Sequence, residues 1–349
     1  VWFIFWITRI NNERSVLRYE NKSLKQSIKR KNKSLEAYYK IHLVAIELDN
    51  IVESNYSTRK KKQEKNLSII IDDLLKDFNQ SLSTYIAGSE IMQINKAPSG
   101  EWLPVSSLFL AVLNLSHEIS ELSAGAFDVT VMPLVDLWGF GPDWKQIEAP
   151  TQAQINMALD QVGYEALLVD KPSSRIKKTK PVTVDFSAVA KGYGVDEVAN
   201  YLWGQGFYHF MVEIGGELRV HGHNASGQAW RIGVESPVAG GKIKPIQVSE
   251  AGVATSGDYR NYFEQDGVRF SHTINPVNGR PVNHNLASVT VIAQNAAKAD
   301  ALATAFSVMG GDRALVLAQQ HGIAIYIIER TSDGFTTRHS ESFTPYFLF

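Results

Sequence analysis

The sequence contains no cysteine among its 349 residues. This absence excludes a disulfide framework, a thiolate metal site and a cysteine nucleophile. It leaves the cellular compartment open, because an exported protein can also lack cysteine. The apolar N-terminal stretch VWFIFWITRI has only about half the length that a transmembrane helix needs. We interpret it as the end of a signal or membrane anchor, or alternatively as an artificial remnant.

Positive charge is scarce in most of the chain and is concentrated near its start. Residues 1–66 hold 15 of the 35 Lys and Arg residues but only 7 of the 36 Asp and Glu residues. The remainder is therefore acidic, and a nucleic-acid surface on the folded part is not expected. We predict a basic leader or linker over residues 1–66, a main domain over residues 67–330 and a C-terminal tail over residues 331–349. The hydrophobic content of 44% is typical of a globular α/β protein.

Apolar spacing predicts the helices and strands of the main domain. An amphipathic helix is expected from Leu67 to Phe78, a second from Ser107, and a third with Thr151 as its N-cap. Strands are expected at Val129–Val131, Leu167–Val169, Val182–Phe186, Phe210–Ile214, Leu218–His221, Trp230–Val234, Ile246–Val248, Arg269–Ile274 and Ala287–Ala293. Short turns join most of the later strands, which predicts antiparallel sheet.

The segment DFSAVAKGYG, from Asp185 to Gly194, is a candidate phosphate site. A strand ends here in an acid, and a glycine-interrupted turn enters a helix with Lys191 near its start. Amide groups at a helix N-terminus, together with a lysine, favour a bound phosphate. The alternative is equally open: the glycines allow close packing and the lysine faces solvent. No Walker loop is present in the sequence.

The helix predicted over Ala296–Met309 carries a candidate metal site. Asp300 and Thr304, at i and i+4, lie almost opposite the apolar stripe, and their neighbours are alanines instead of the charged residues of a solvated face. A carboxylate and a hydroxyl in such surroundings suit Mg2+, which binds oxygen ligands and borrows others from phosphate. Alternatively, the helix packs on both sides and Asp300 is a capped structural residue.

A hairpin within Ala251–Pro281 presents His272 as a candidate general base. Asp-Gly and Asn-Gly turns frame it, and histidine titrates near neutral pH. A single histidine is more often structural. Two further turns are open in the same way: Gly125–Asp128 either holds a ring system or caps a strand, and Glu213–Glu217 is either a bend near a ligand or a β-bulge. The other histidines lack metal-ligand spacing, so zinc chemistry is not expected.

Seven motifs, taken in order, resemble the ApbE family of FAD:protein FMN transferases over about residues 67–328. They are STYIAGSE at Ser83–Glu90, GAFDVTVMPLVDLWGFG, DFSAVAKGYGVD, VEIGGELRVHG, TSGDYRNYF, SHTINPVNGRPV and ADALATAFSVMG. The resemblance implies an α+β fold with T-fold-like antiparallel β-sheets flanked by helices. One departure is that the family's TMGTxY-like segment corresponds here to IVESNYST.

The activity implied by the resemblance is Mg2+-dependent transfer of FMN from FAD to a threonine or serine hydroxyl of an acceptor protein, with release of AMP. Family acceptors carry the type Asp-x-x-x-Gly-[Ser/Ala]-Thr and are subunits of membrane redox complexes, such as the Na+-pumping NADH:quinone oxidoreductase or Rnf type. They lie on the outer face of the bacterial cytoplasmic membrane. Two alternatives stay open: an FAD pyrophosphatase that yields FMN and AMP, and a non-catalytic flavin-binding lipoprotein.

The resemblance also implies residue roles. Flavin-nucleotide contacts fall on Tyr85, Ala126, Phe127, Asp128, Asp185, Lys191 and Ile274. Metal contacts fall on Asp300 and Thr304, with the backbone carbonyls of Ala188 and Ala303. His272 matches the family's proposed catalytic histidine.

Overall fold

The computed structural model describes residues 16–17, 41–47, 56–141, 149–237, 243–257, 262–265 and 268–348. The helices in these ranges are α1 (Tyr56–Leu82), α2 (Glu90–Lys96), α3 (Ser107–Leu122), α4 (Met132–Leu137), α5 (Gln152–Leu159), α6 (Ala190–Gly204), α7 (Ala296–Met309) and α8 (Gly311–His321). Two 3-10 turns add Tyr164–Ala166 and Glu341–Tyr346.

The strands in the same ranges belong to one large sheet and several small ones. They are β1 (Val16–Leu17), β2 (Ile41–Glu47), β3 (Trp102–Pro104), β4 (Leu167–Asp170), β5 (Arg175–Lys178), β6 (Phe210–Ile214), β7 (Glu217–His221), β8 (Trp230–Val234), β9 (Lys244–Val248), β10 (Ala251–Gly257), β11 (Tyr262–Gln265), β12 (Val268–Ser271), β13 (Ile274–Asn275), β14 (Arg280–Pro281), β15 (Leu286–Ala293), β16 (Ala324–Thr331) and β17 (Gly334–His339).

The large sheet has the order β1-β2-β6-β7-β10-β15-β16-β17, and every neighbouring pair in it is antiparallel. Alternate side chains of a strand face opposite sides of a sheet. Val291 and Ile327 therefore point into the helical core, whereas Ile292 and Tyr326 pack on the other side. The β8–β9 hairpin and the C-terminal 3-10 turn cover that second side. The predicted α+β class with antiparallel sheets is confirmed.

Helix α7 lies in the middle of the helical layer. It contacts β10 and β15 of the large sheet and is also covered by α3, α6 and α8. The side chain of Asn295 caps its start by accepting the N–H of Lys298 at 2.8 Å. Small alanines allow this close approach on several sides, so Asp300 is only 4% exposed. The position opposite the apolar stripe is thus packed against protein.

Two strand predictions are wrong in informative ways. Val129–Val131 forms a turn that leads into α4, because the side chain of Asp128 accepts the N–H of Thr130 at 2.7 Å and replaces a strand partner. Val182–Phe186 forms no strand, and the partner of β4 is β5. The predicted strand Arg269–Ile274 is interrupted at His272, between β12 and β13.

Regular structure extends beyond both ends of the predicted main domain. Strand β2 pairs with β6, with Ile41 opposite Ile214, and α1 begins at Tyr56 instead of near Leu67. At the other end, β17 pairs with β16, and Phe343 is fully buried. The segment predicted as a tail therefore contributes to the sheet and its core over residues 331–348. Across the ranges described, no helix combines the length and the apolarity needed to cross a bilayer.

Candidate active site

Asp300 and Lys191 meet where α6 and α7 approach each other. The Nζ atom of Lys191 lies 3.3 Å from each oxygen of the Asp300 carboxylate. The backbone N–H of Gly192 donates to Asp300 Oδ2 at 3.0 Å. The structure thus joins two residues that the sequence suggested separately. It places both at the N-terminal end of α6, where free amide groups favour anions.

The close approach of the two helices depends on Gly192 and Asp196. A Cβ atom at Gly192 would lie 2.3 Å from the carbonyl oxygen of Ala296. One turn further along α6, the buried carboxylate of Asp196 accepts the N–H groups of Ala296 and Ala297 at 2.9 and 2.8 Å. Both residues fix the start of α7 against α6. Asp196 lies in the DFSAVAKGYGVD motif, but the sequence analysis gave it no role.

Glu217 is a third charged member of the cluster that sequence reasoning missed. Gly215 and Gly216 form the two-residue turn between β6 and β7, with φ values of 65° and 105°. Consecutive positive φ values are typical of a tight hairpin turn, so of the two alternatives for Glu213–Glu217 the structure has the bend and not the β-bulge. The turn brings Glu217 Oε1 to 3.1 Å from Lys191 Nζ. The sequence signal that could have identified Glu217 is an acid directly after a glycine pair.

Burial and mutual attraction set the ionisation of this cluster. Burial raises the pKa of Asp300, while Lys191 and the Gly192 amide oppose the shift. Burial also raises the pKa of Glu217 to about 7, against the attraction of Lys191. For Lys191, burial lowers the pKa, but Asp300 and then Glu217 outweigh it and keep the ammonium charged. The site therefore keeps a cation over the Asp300 carboxylate.

The donor set around Asp300 fits a hard cation that also binds phosphate. The Lys191 ammonium faces both Asp300 oxygens, so the carboxylate already presents a cation-binding edge. Thr304, half-buried, lies one turn along α7. In the part of the chain that the structure describes, no three His, Asp or Glu side chains gather as a ready metal cluster. Asp300 and Thr304 offer oxygen donors, which Mg2+ prefers, and a nucleotide phosphate would supply further ones.

The two predicted carbonyl ligands differ in their surroundings. Ala188 lies in the turn before α6, and in a regular helix its carbonyl would accept the N–H of Gly192. That N–H donates to Asp300 instead, which favours Ala188 as a ligand. Ala303 is buried in the interior of α7, where its carbonyl belongs to the helix ladder. Of the four predicted metal ligands, Ala303 is the least suited to bind a cation.

Asp185 is joined to the segment that follows the turn at residues 126–128. The backbone N–H of Asp185 donates to the carbonyl of Val129 at 2.8 Å, which ties the two predicted flavin segments together. Asn95 fixes the same strand-like segment, because its side chain pairs with both the N–H and the carbonyl of Val184. The carboxylate of Asp185 accepts the N–H of Ser187 at 2.6 Å. It is half-buried beside the start of α6.

Asp128 has a structural role in its own turn. One carboxylate oxygen accepts both the N–H and the hydroxyl of Thr130, and the other accepts the N–H of Tyr164 at 3.0 Å. Burial raises its pKa, and the bonds from Thr130 oppose that shift. Ala126 and Phe127 are also buried. A ligand at this turn would therefore meet the backbone more than these side chains.

The hairpin that carries His272 packs beside the same turn. Trp138 donates its indole N–H to the carbonyl of Gly279 at 2.8 Å. Ile274 is buried in the cluster around Trp138. A Cβ atom at Gly125 would lie 3.6 Å from Val277 of the hairpin. His272 itself is half-buried and meets the ring of Phe140 edge-on, with the centroids 6.4 Å apart.

Tyr85 lies in the loop between α1 and α2, where its N–H donates to the hydroxyl of Ser83 at 3.3 Å. Its ring is half-buried. Of the IVESNYST segment, residues 51–55 lie outside the described residues, and the remaining three begin α1. Of the predicted site residues, Asp300 and Lys191 contact each other directly. The backbone of Asp185 binds Val129, next to the 126–128 turn, and the hairpin of His272 packs on Gly125 and Trp138.

Comparison with known proteins finds related sequences over most of the chain. The model of the ApbE family matches residues 37–327. The chain is 43% identical over 285 residues to the FAD:protein FMN transferase of Vibrio cholerae serotype O1, which covers 81% of this chain and 85% of that protein. It is 38% identical over 277 residues to the FAD:protein FMN transferase of Escherichia coli strain K12, covering 77% and 78%.

Solved structures show the same similarity. The flavin transferase ApbE from Vibrio cholerae superimposes with a TM-score of 0.77 and 40% identity, and the match covers 89% of this chain and 95% of that one. The apo form of the Pseudomonas stutzeri flavinyl transferase ApbE also gives a TM-score of 0.77, at 35% identity, covering 88% and 93%. The chain therefore belongs to the ApbE family.

Proposed function

We propose that this chain, an FAD:protein FMN transferase of the ApbE family, uses Mg2+ to move FMN from FAD to a threonine or serine hydroxyl of an acceptor protein. The hydroxyl oxygen forms a bond to the FMN phosphorus, the pyrophosphate P–O bond breaks, and AMP leaves with the bridging oxygen. The observation that carries this proposal is the buried contact between Lys191 and Asp300 at the start of α6. It supplies the charges that a pyrophosphate and its cation require.

Asp300 and Thr304 would hold the Mg2+, with the backbone carbonyl of Ala188 and, less favourably, that of Ala303. When bound, the cation neutralises charge on the pyrophosphate oxygens. Lys191 adds a second positive charge, and the amides at the start of α6 orient the phosphate. Phosphoryl transfer needs mainly such charge neutralisation and alignment.

His272 is proposed to take the proton from the acceptor hydroxyl. Its support is its place at the break between β12 and β13, on a hairpin that is held beside the 126–128 turn. A general base of this kind contributes typically about 100-fold to 10,000-fold to a rate. The same break leaves His272 outside regular strand pairing. This arrangement suits a side chain that must meet an incoming acceptor.

The flavin end of FAD is assigned to Tyr85, to Ala126, Phe127 and Asp128, and to Ile274, with Asp185 and Lys191 nearer the phosphates. The bond between Asp185 and Val129 supports this order, because it joins the two ends of the proposed site. Because Ala126 and Phe127 are buried in the protein, the backbone of this turn would face the ring system.

Acceptors are proposed to be subunits of membrane redox complexes of the Na+-pumping NADH:quinone oxidoreductase or Rnf type, on the outer face of the bacterial cytoplasmic membrane. The support is the resemblance of the motifs, together with the apolar stretch VWFIFWITRI ahead of a basic leader. Basic segments next to a membrane are attracted to anionic lipids.

The reaction is tested by incubating the protein with FAD and Mg2+, with and without a peptide of the type Asp-x-x-x-Gly-[Ser/Ala]-Thr, and measuring AMP, free FMN and peptide-bound flavin. We expect covalent flavin on the peptide and AMP in equal amount. AMP with free FMN in the absence of peptide would indicate a pyrophosphatase instead. Tight FAD retention with no product would indicate a binding protein.

A further inference from the structure

The buried carboxylate of Glu217 has no assigned part in the proposed reaction. The residue is only 5% exposed, and Oε1 contacts Lys191 at 3.1 Å. Its second oxygen, Oε2, is buried and accepts no hydrogen bond. A buried polar atom without a partner costs free energy and calls for an explanation. Packing alone does not supply one, since an apolar side chain would fill the same space without that cost.

Lys191 occupies the position that a divalent cation would need. Its ammonium lies at the same distance, 3.3 Å, from both oxygens of Asp300. A cation bound to that carboxylate would compete with the ammonium for the same oxygens, and the two positive charges would repel each other. Binding of Mg2+ at Asp300 therefore requires Lys191 to give up this contact.

Glu217 contacts the same ammonium, at 3.1 Å, and can keep it when Asp300 binds a cation. It is held at the end of the tight β6–β7 turn, on a strand in the middle of the large sheet. The stem of Lys191 passes over that turn: its Cδ atom lies 3.4 Å from where a Cβ atom would stand at Gly215. The glycine leaves room for the stem, and Glu217 offers a second anion next to it.

We propose that Glu217 is a positioning residue that retains Lys191 in the site when a divalent cation takes over Asp300. This inference rests on the magnesium site of the proposed function. With Glu217 present, the displaced ammonium keeps a buried carboxylate partner and stays within reach of the pyrophosphate. Without that charge, the displaced ammonium would be buried beside a neutral group, so release of Asp300 to the cation would be less favourable.

The test is a double-mutant cycle read by Mg2+ affinity, measured by calorimetry on the nucleotide-free protein. The variants are Glu217→Gln, Lys191→Met and the double variant, with thermal unfolding as the check on folding. We expect Glu217→Gln to weaken Mg2+ binding roughly tenfold, since a charge next to the displaced cation is lost. In the Lys191→Met background, Glu217→Gln should alter the Mg2+ affinity less than about twofold.

Activity provides a second measurement. Glu217→Gln should lower kcat more than it raises KM for FAD, and higher Mg2+ should partly restore kcat. Glu217→Asp keeps the charge but shortens the side chain, so it should show the same effects at smaller size, and it replaces the Gln variant if that one does not fold. An equal loss of affinity in both backgrounds would overturn the inference. Absence of Mg2+ binding by the unaltered protein, both without nucleotide and with ADP bound, would instead contradict the magnesium site itself.

Discussion

Individual residues in the site carry charges whose state depends on partners far away in the sequence. Asp300 is buried, and its nearest cation, Lys191, lies 109 positions earlier in the chain. The attraction of Lys191 partly offsets the effect of burial, which otherwise favours the neutral carboxyl. A change at any member of this cluster will therefore act on the others. His272 lies on a separate hairpin, so its role can be tested without changing this cluster.

Replacing His272 with alanine should stop transfer while leaving FAD binding nearly unchanged. The imidazole is proposed to act only on the acceptor hydroxyl, so its loss removes a proton acceptor but no phosphate or metal contact. We expect kcat for peptide flavinylation to fall about 100-fold or more. The dissociation constant for FAD, measured by fluorescence quenching, should change less than about threefold.

The matched control for this prediction is His321→Ala. His321 is exposed in the last turn of α8, away from the hairpin, and its removal should leave both constants unchanged. Unaltered flavinylation by the His272→Ala protein would remove His272 from the mechanism.

Single residues of the site were predictable where a motif marks them, and the pairings between them were not. Asp300 stood out because alanines surround it on a helix, and Lys191 because it follows a glycine-interrupted turn. Their contact depends on the separation of two helices, which Gly192 sets and which spacing along the chain does not reveal. Glu217 was missed because a glycine pair between strands indicates both a bulge and a tight turn.

Helices α6 and α7 form the element pair on which the site is built. Gly192 lies at their closest approach, where a Cβ atom would meet the Ala296 carbonyl oxygen at 2.3 Å and the Ala297 Cα at 2.8 Å. Both neighbours are backbone atoms and cannot move aside without shifting α7. The geometry of Asp300 therefore depends on a residue that touches no ligand.

Replacing Gly192 with alanine should push the two helices apart. Overpacking of this kind costs typically about 1–3 kcal/mol, and the shift would also move Asp300 away from the Gly192 amide. We expect a lower midpoint in urea unfolding together with loss of flavinylation. Gly204→Ala, at the end of α6, is the control, because a Cβ atom there meets nothing within 4 Å.

For Gly204→Ala we expect stability to stay the same or to rise by up to about 1 kcal/mol, since alanine favours helix over glycine. Equal stability of both variants would show that the contact between α6 and α7 accommodates a methyl group at Gly192.

At the level of elements, the amphipathic helices and three strands of the large sheet, β6, β7 and β15, were predicted, whereas β2, β10, β16 and β17 were not. Two predicted strands failed because side chains replace strand partners. Val182–Phe186 has the apolar alternation of a strand, yet its bonds go to the Asn95 side chain and to the Val129 carbonyl. Val129–Val131 has strand-forming residues, but the Asp128 carboxylate folds it into a turn. Such side-chain bonds are not visible in residue periodicity.

For the whole molecule, the helix junction makes stability depend on pH through Asp196. Burial raises its pKa to about 6, while the amides of Ala297 and Ala296 and the charge of Arg219 oppose the shift. The unfolded chain holds this proton only below a pH of about 4. Between these values the folded state binds more protons than the unfolded state. The free energy of unfolding therefore falls as the pH rises through this window.

The Asp196 contribution should amount to a loss on the order of 3 kcal/mol between pH 4 and pH 6, and should be constant above that. Urea unfolding at several pH values measures it. Asp196→Asn removes the titrating group. The free energy of unfolding of this variant should therefore change less with pH between pH 4 and pH 6 than that of the unaltered protein, whatever the variant's absolute stability. The same slope in both proteins would assign the pH dependence to other groups.

Asp300, held against α6, is proposed to bind the cation that the transfer requires. The most direct measurement is the mass of the acceptor peptide after incubation with FAD over a series of Mg2+ concentrations, for the unaltered protein and for Asp300→Asn. We expect Mg2+-dependent addition of FMN by the unaltered protein, abolished by chelation, and no Mg2+ stimulation in the variant, with FAD binding weakened far less. Equal Mg2+-dependent addition of FMN by both proteins would show that Asp300 does not bind the cation.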